Sequence, residues 1–244
     1  MNIQTALEQA KIYFVSDVHL GAPALKNNRE RERLFVSWLD EISKDASEIF
    51  LLGDIFDFWF EYRKVVPRGF VRTLGKLAQL ADSGIRIHFF TGNHDVWAFD
   101  YFKEEFGAEI YRDPVEITRN GHTFFLGHGD GLDSKERGYL FLKWVFTNRT
   151  LQFLYAQLHP NWAFKLAHAW AKKSRVDKGL GPETSKGPEF ETTYSFAKEY
   201  VKAHKVDFFL FGHRHIVMEE NIDNKAMFYI LGEWINHFTY AVFD

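Results

Sequence analysis

The sequence predicts an α/β protein in which helices cover strands buried on both faces. Three observations carry that expectation. Six short runs rich in Ile, Leu, Val and Phe have the length of buried strands, amphipathic helical patterns separate the early runs, and nearly every run ends in Asp, Asn or His beside Gly. Open α/β sheets gather ligands beyond the carboxyl ends of their strands, so these endings point to a single site.

In chain order, the first three runs are IYFVSD (12–17), EIFLLGD (48–54) and RIHFFTGN (86–93). ERERLFVSWLDEISK and GFVRTLGKLAQLADSG lie between them with apolar residues at helical spacing. The later runs, HTFFLGHG (122–129), DFFLFGH (207–213) and MFYILGE (227–233), have fewer helices between them and predict more antiparallel pairing in a second sheet. The segment from about 132 to 190 breaks the rhythm. GYLFLKWVF, TLQFLYAQL and NWAFKLAHAWAKK read as helices, and GLGPETSKGP follows as a loop. It is expected to be a helical cap inserted over the strand ends of one domain spanning residues 1–244.

Composition narrows the class. Apolar residues at 46% and charged residues at 26% fit a globular chain. The 18% aromatic content, with 26 Phe and 7 Trp, calls for either a Phe-rich core or an apolar ligand surface. The absence of cysteine excludes disulfides and thiolate metal sites. MNIQTALEQAK lacks the apolar centre of a secretory signal, and no run approaches the roughly 20 apolar residues that span a bilayer. A net charge of -3 hides an asymmetry: Leu132 to Lys186 holds ten Lys/Arg against four Asp/Glu. A basic segment on an acidic body suggests a localised site for an anion, without the long basic track that a nucleic acid needs.

Five strand-end motifs carry the chemistry: Asp17-Val18-His19, Gly53-Asp54, Gly92-Asn93-His94-Asp95, Gly127-His128-Gly129-Asp130 and Gly212-His213-Arg214-His215. Each alone reads as a turn. Five at five apolar strand ends bring together too many ionisable groups to bury without cations. Imidazole, carboxylate and amide donors without sulfur suit Mn, Fe, Zn or Co. In D-x-H, alternate residues of an extended chain project to one side and can reach one ion.

In this order the motifs resemble the calcineurin-like metallophosphoesterase superfamily, over the stretch from Asp17 to His215. The resemblance implies a sandwich of two mixed β-sheets flanked by helices. It implies two divalent ions, one held by Asp17, His19 and His215, the other by Asn93, His128 and His213, with Asp54 bridging. His94, paired with Asp95, would be catalytic, contacting phosphate or protonating the leaving oxygen. Asp57 and Asp130 would support ligands or turns, and among the remaining histidines His168 is the one expected to do more than pack.

SDVHLGA, GDIFDFWFEY and a helical insert after GHGD resemble one branch, the UDP-2,3-diacylglucosamine pyrophosphatases (hydrolases) of lipid A synthesis. That branch implies hydrolysis of the diphosphate to UMP and 2,3-diacylglucosamine 1-phosphate, with manganese as the metal. It also implies a cytoplasmic protein, peripheral on the cytoplasmic face of the inner membrane; the sequence points to no nucleic-acid partner and lets no protein partner be inferred. Trp162, Leu166 and Trp170 share a helical face, with Lys172, Lys173 and Arg175 after them. Trp162 and these three cations are the expected substrate contacts. The branch's best-known members carry Arg where this chain has His94, which leaves a soluble nucleotide, phosphomonoester or phosphodiester as the alternative substrate.

Overall fold

The computed structural model describes residues 10–132, 137–178 and 184–244, with the side chains of 170–178 outside the description. The first sheet is built from β1 (Lys11–Val15), β2 (Ala46–Leu52), β3 (Arg86–Phe90) and β4 (Glu109–Tyr111), all parallel, with β10 (Ala241–Phe243) antiparallel to β1. The second has the order β5 (Val115–Arg119), β6 (His122–Leu126), β7 (Phe208–Phe211), β9 (Ala226–Leu231), β8 (Val217–Ile222). There β6, β7 and β9 run parallel, and β5 and β8 pair antiparallel at the edges. All six expected strands are present, and both sheets are mixed.

Alternation along the strands sorts side chains into layers. Ile12, Phe14, Phe50, Leu52 and Phe90 face Phe124, Leu126, Leu210 and Leu231 across the gap between the sheets. Their neighbours Tyr13, Val15, Ile49, Leu51, Ile87 and Phe89 face the other way, against α1 (Asn28–Ile42), α2 (Val71–Asp82) and α3 (Tyr101–Phe106). On the far side, Phe125, Phe209, Phe211 and Phe228 pack against α7 (Thr192–Tyr200). The layers are helix, sheet, sheet, helix. Much of the phenylalanine surplus is therefore core, each fully buried ring stabilising by about 2–3 kcal/mol.

The segment after β6 forms α4 (Arg137–Thr147), α5 (Arg149–Ala156) and α6 (Pro160–Lys178). Phe146, Tyr155 and Phe164 pack against Phe58, Phe60 and Trp97, and the Trp97 indole donates to the Phe146 carbonyl at 2.7 Å. Of the expected loop GLGPETSKGP, residues 179–183 lie outside the described residues. Among the described residues no helix is long and apolar enough to cross a membrane.

Candidate metal centre

The strand-end loops are knitted together before any side chain is considered. Asp17 N–H donates to the Gly53 carbonyl at 3.1 Å and His19 N–H to the Asp54 carbonyl at 2.9 Å, extending the β1–β2 pairing past the sheet. Asp17, His19, Asp54, His213 and His215 all have φ between +48° and +68°. A left-handed backbone costs a residue with a side chain about 1–3 kcal/mol, and such strain collects at functional sites. Two buried side chains hold these loops. Arg31 of α1 donates to the carbonyls of Val18, His19 and Trp234. Asp95 accepts from the backbone N–H groups of Gly92 (2.8 Å), Ile55 (2.9 Å), Asp54 (3.2 Å) and Phe56 (3.3 Å).

Asp95 is thus not the partner of His94. In the bend that follows β3, Asp95 turns inward to the backbone while His94 faces the site. His94 Nδ1 lies 2.8 Å from the Asp57 carbonyl, an acceptor, which puts the proton on Nδ1 and leaves Nε2 free. Asp95 is a positioning residue.

The same logic fixes two more imidazoles. His19 Nδ1 meets Asp57 Oδ1 at 3.2 Å, and His128 Nδ1 meets the Leu52 carbonyl at 2.9 Å. Their Nε2 atoms face inward, as in a metal-ligating histidine whose other nitrogen is anchored. On one side, His19 Nε2 lies 3.0 Å from His215 Nε2, with Asp17 Oδ1 3.6 and 3.2 Å from these two. On the other, His128 Nε2 lies 3.3 Å from Asn93 Oδ1, and the His213 ring is 5.2 Å from the His128 ring. Asp54 Oδ2 stands between, 3.7 Å from His19 Nε2 and 3.4 Å from His128 Nε2, while Oδ1 accepts the His94 N–H at 2.8 Å. The seven expected ligands lie together, with Asp54 between the two groups.

Electrostatics say what the centre wants. Burial opposes ionisation of Asp17 and Asp54, but the histidines around them outweigh it and hold both well below the usual carboxylate range. Burial should strip the proton from His128, yet Asp54 and Asp17 raise it well above the normal value. Burial and the charge on His128 push His213 down to about 4. Burial and Asp54 push Asp95 up to about 7 against its backbone donors. The buried carboxylates stay ionised and draw positive charge toward them.

Divalent cations fit such a donor set. Asp17 Oδ1 is buried with no hydrogen-bond partner, and it sits among imidazole nitrogens that themselves face one another. Three groups, Asp17 with His19 and His215, His19 with Asp54 and His94, and Asp17 with Asp54 and His128, each place their donor atoms within 4.8 Å of one another. Backbone closeness enforces the arrangement: a Cβ on Gly212 would collide with Ser16 Oγ and Asp17 Oδ2. Ser16 donates to that Asp17 oxygen at 2.6 Å.

Two clefts approach the centre from different sides. One, of about 500 Å³, reaches Asn93 and His213 and is walled by Val96, Phe99, Leu142 and Phe146. At its inner end Asp130 accepts from the Tyr139 hydroxyl at 2.6 Å and from Lys143 at 2.9 Å. The other, of about 700 Å³, is bounded by Leu20 and Phe58, the chain neighbours of His19 and Asp57. Trp162 enters neither: it is 73% exposed, on the opposite face of α6 from Phe164 and His168. Lys172, Lys173 and Arg175 follow on α6, but their side chains lie outside the described residues. Arg31 was not anticipated, although its position shows in the sequence: 31, 35, 38, 39 and 42 form the buried face of α1, with an arginine among apolar residues.

The comparisons agree with this geometry. A family model described as calcineurin-like phosphoesterase matches residues 10–217. A protein of Porphyromonas gingivalis named UDP-2,3-diacylglucosamine hydrolase is 42% identical over 248 residues, covering 97% of this chain and 95% of that one. Proteins of the same name from Pseudomonas aeruginosa (28% identical, 91% of this chain and 90% of that one) and Neisseria gonorrhoeae (26%, 93% and 90%) are also similar. With matching motifs, matching layers and a family match spanning most of its length, the chain belongs to the calcineurin-like phosphoesterases.

Proposed function

We propose that this protein hydrolyses the diphosphate of UDP-2,3-diacylglucosamine, releasing UMP and 2,3-diacylglucosamine 1-phosphate. The chemistry is that of a metal-dependent phosphoester hydrolase. The observation that carries the substrate is the 42% identity to the P. gingivalis protein, spread over 97% of this chain, so that it takes in the cap as well as the centre.

Asp17, His19 and His215 form one ligand group and Asn93, His128 and His213 the other, with Asp54 shared. Divalent ions held by these residues, manganese in our reading, would supply the positive charge that neutralises phosphoryl oxygens and acidifies an attacking water. Asp57 and the Leu52 carbonyl keep His19 and His128 in the tautomer that offers Nε2. His94, held through Nδ1, directs Nε2 at the diphosphate; in the imidazolium form, with both ring nitrogens protonated, Nε2 donates to a phosphoryl oxygen as negative charge builds. The 500 Å³ cleft takes the acylated sugar, with Asp130, Tyr139 and Lys143 near the hydroxyls and Val96, Phe99, Leu142 and Phe146 along the chains.

Residues 132–190 serve as a cap on a single domain, and the cap meets the lipid surface. Its helices leave Phe141, Trp144, Leu151, Phe153, Leu154, Leu158, Trp162 and Leu166 exposed. Residues 137–176 contain seven Lys/Arg and no Asp/Glu. Exposed aromatic and leucine side chains on a segment so rich in cations suit an anionic bilayer, here the cytoplasmic face of the inner membrane.

The test is UMP release by manganese-loaded protein from UDP-2,3-diacylglucosamine. Protein that cleaves bis(p-nitrophenyl) phosphate but releases no UMP would refute the lipid substrate and favour a soluble one.

A further inference from the structure

The second cleft, of about 700 Å³, has no role in the chemistry above, yet its volume lies in the range of ligand pockets. Its inner wall is aromatic. Phe58 and Phe164 meet edge to face at 5.0 Å, and the His168 ring lies 5.9 Å from Phe58 and 6.0 Å from Phe164. Its mouth is cationic, with Arg29 from α1 and Arg68 and Arg72 from the loop and first turn leading into α2. Arg72 is 3.7 Å from Glu32, whose carboxylate also accepts the N–H groups of Arg72 and Thr73. Arg29 and Arg68 are exposed and have no ion-pair partner among the described residues. Phe70 enters the same cleft on a left-handed backbone with φ +59°, pressed so closely on Gly21 that a Cβ there would meet its ring at 2.7 Å.

The two clefts differ in what they suit. In the 500 Å³ cleft Lys143 is engaged with Asp130 and Arg112 with the carbonyls of Ala98 and Phe99, which leaves Arg149 as one exposed guanidinium without an ion-pair partner among the described residues, against two at the mouth of the larger cleft. Its walls come from α4 and α5, the helices that also present Trp144, Leu151 and Leu154 outward, so it opens toward the apolar surface. In the larger cleft, acyl chains would have to pass beside unpaired guanidinium groups and displace their water, which is costly. A nucleotide would instead offer phosphate oxygens to those arginines and a flat base to the aromatic wall. Burial lowers the pKa of His168 against the pull of Asp57, which favours a neutral ring able to exchange a hydrogen bond with a ribose hydroxyl.

We propose that the cleft between Phe58, Phe164 and the 65–72 loop seats the uridine half of the substrate, with Arg29 and Arg68 as its specificity-determining cations. This rests on the diphosphate reading above and assigns the two ends of the substrate to opposite sides of the centre. The diphosphate then lies between the clefts, against His94 and the ligand cluster.

Direct binding of UMP to the manganese-loaded full-length protein, followed by calorimetry, tests the assignment without turnover. Arg29→Ala and Arg68→Ala each weaken UMP binding by roughly 10-fold, and the pair by more. The KM for UDP-2,3-diacylglucosamine rises by a similar factor, with kcat affected less. Phe164→Ala weakens UMP but leaves inorganic phosphate binding as in the parent. Both arginines are exposed, and unfolding curves matching the parent establish that the variants fold. A parent that binds no UMP, or a double variant that binds it as the parent does, overturns the subsite. So does an unchanged UMP affinity in Phe164→Ala, which would mark a phosphate site without a base contact. Absence of UMP release by the parent refutes the diphosphate reading instead, and the two failures are read from different measurements.

Discussion

Asp54 and Arg31 show how single residues hold the centre. Asp54 Oδ2 lies between His19 and His128, so Asp54→Asn removes the one carboxylate that both ligand groups share. Outer partners of metal ligands already cost 10–100-fold, so turnover should fall by more than about 100-fold and bound manganese should drop below two per chain. Normal metal content with most activity retained would remove Asp54 from the bridge. Arg31→Met keeps volume but takes the donors from three carbonyls around the left-handed Val18–His19 turn. We expect a stability loss of about 2–4 kcal/mol in urea and weaker metal binding, since buried acceptors are left unpaired. A parental unfolding midpoint would show that the loop holds itself. The seven residues expected as ligands could be singled out because each is a metal-binding residue type at an apolar strand end, and the structure brings them together. The role of Asp95 was not legible, because adjacency to His94 suggested contact whereas the bend after β3 sends the two side chains apart. Arg31 needed a helical-face reading that asks why a guanidinium sits among Phe35, Trp38 and Leu39.

At the scale of elements, long apolar strands and amphipathic helices were legible, whereas short edge strands were not. β8 alternates exposed Val217, Glu219 and Asn221 with buried Met218 and Ile222, too polar to stand out as a buried run. Its turn was nonetheless written in the sequence: Asp223 and Asn224 both have positive φ, as do Asn120 and Gly121 between β5 and β6. Two consecutive left-handed residues make the tight hairpin turn that Asn-Gly favours. Cap helices are apolar on two sides, which hides their orientation from periodicity alone. Packing resolves it: Phe146, Tyr155 and Phe164 face the body, and Phe153 and Trp162 face out. The double variant Phe153→Ser/Trp162→Ser should therefore fold as the parent does but sediment with phosphatidylglycerol vesicles at least 10-fold more weakly, from the lost apolar insertion. Equal sedimentation of variant and parent would disconnect these side chains from the membrane.

Across the whole molecule, the ends of the sheets farthest from the ligand loops hold a second buried charge cluster, of a different kind. Glu48 of β2 is 2% exposed and accepts from Arg86 at 2.5 Å, from Arg119 of β5 at 2.8 Å, and meets His88 Nε2 at 2.8 Å. Because Arg119 belongs to the second sheet, this cluster ties the two sheets together opposite the catalytic end. No sequence motif marks it, since its members are 71 residues apart and meet only when the sheets stack. Unlike the metal centre, the carboxylate here is answered by protein cations. Burial opposes its charge, but His88, Arg119 and Arg86 bring the pKa down to about 2 from the ordinary 4.5. A carboxyl whose folded pKa is depressed stabilises the fold above its unfolded value and loses that contribution as pH falls toward the folded one. The Glu48 contribution is therefore complete above about pH 4.5 and disappears between there and pH 2. Glu48→Gln should lower stability at pH 7 by about 3 kcal/mol, because two guanidinium groups lose their anion. Over the same acid window the variant should lose less further stability than the parent, since the titrating group is gone. Urea unfolding at pH 7, 4.5 and 3 measures both effects, and parallel losses in variant and parent below pH 4.5 would show that Glu48 does not link the sheets through its charge.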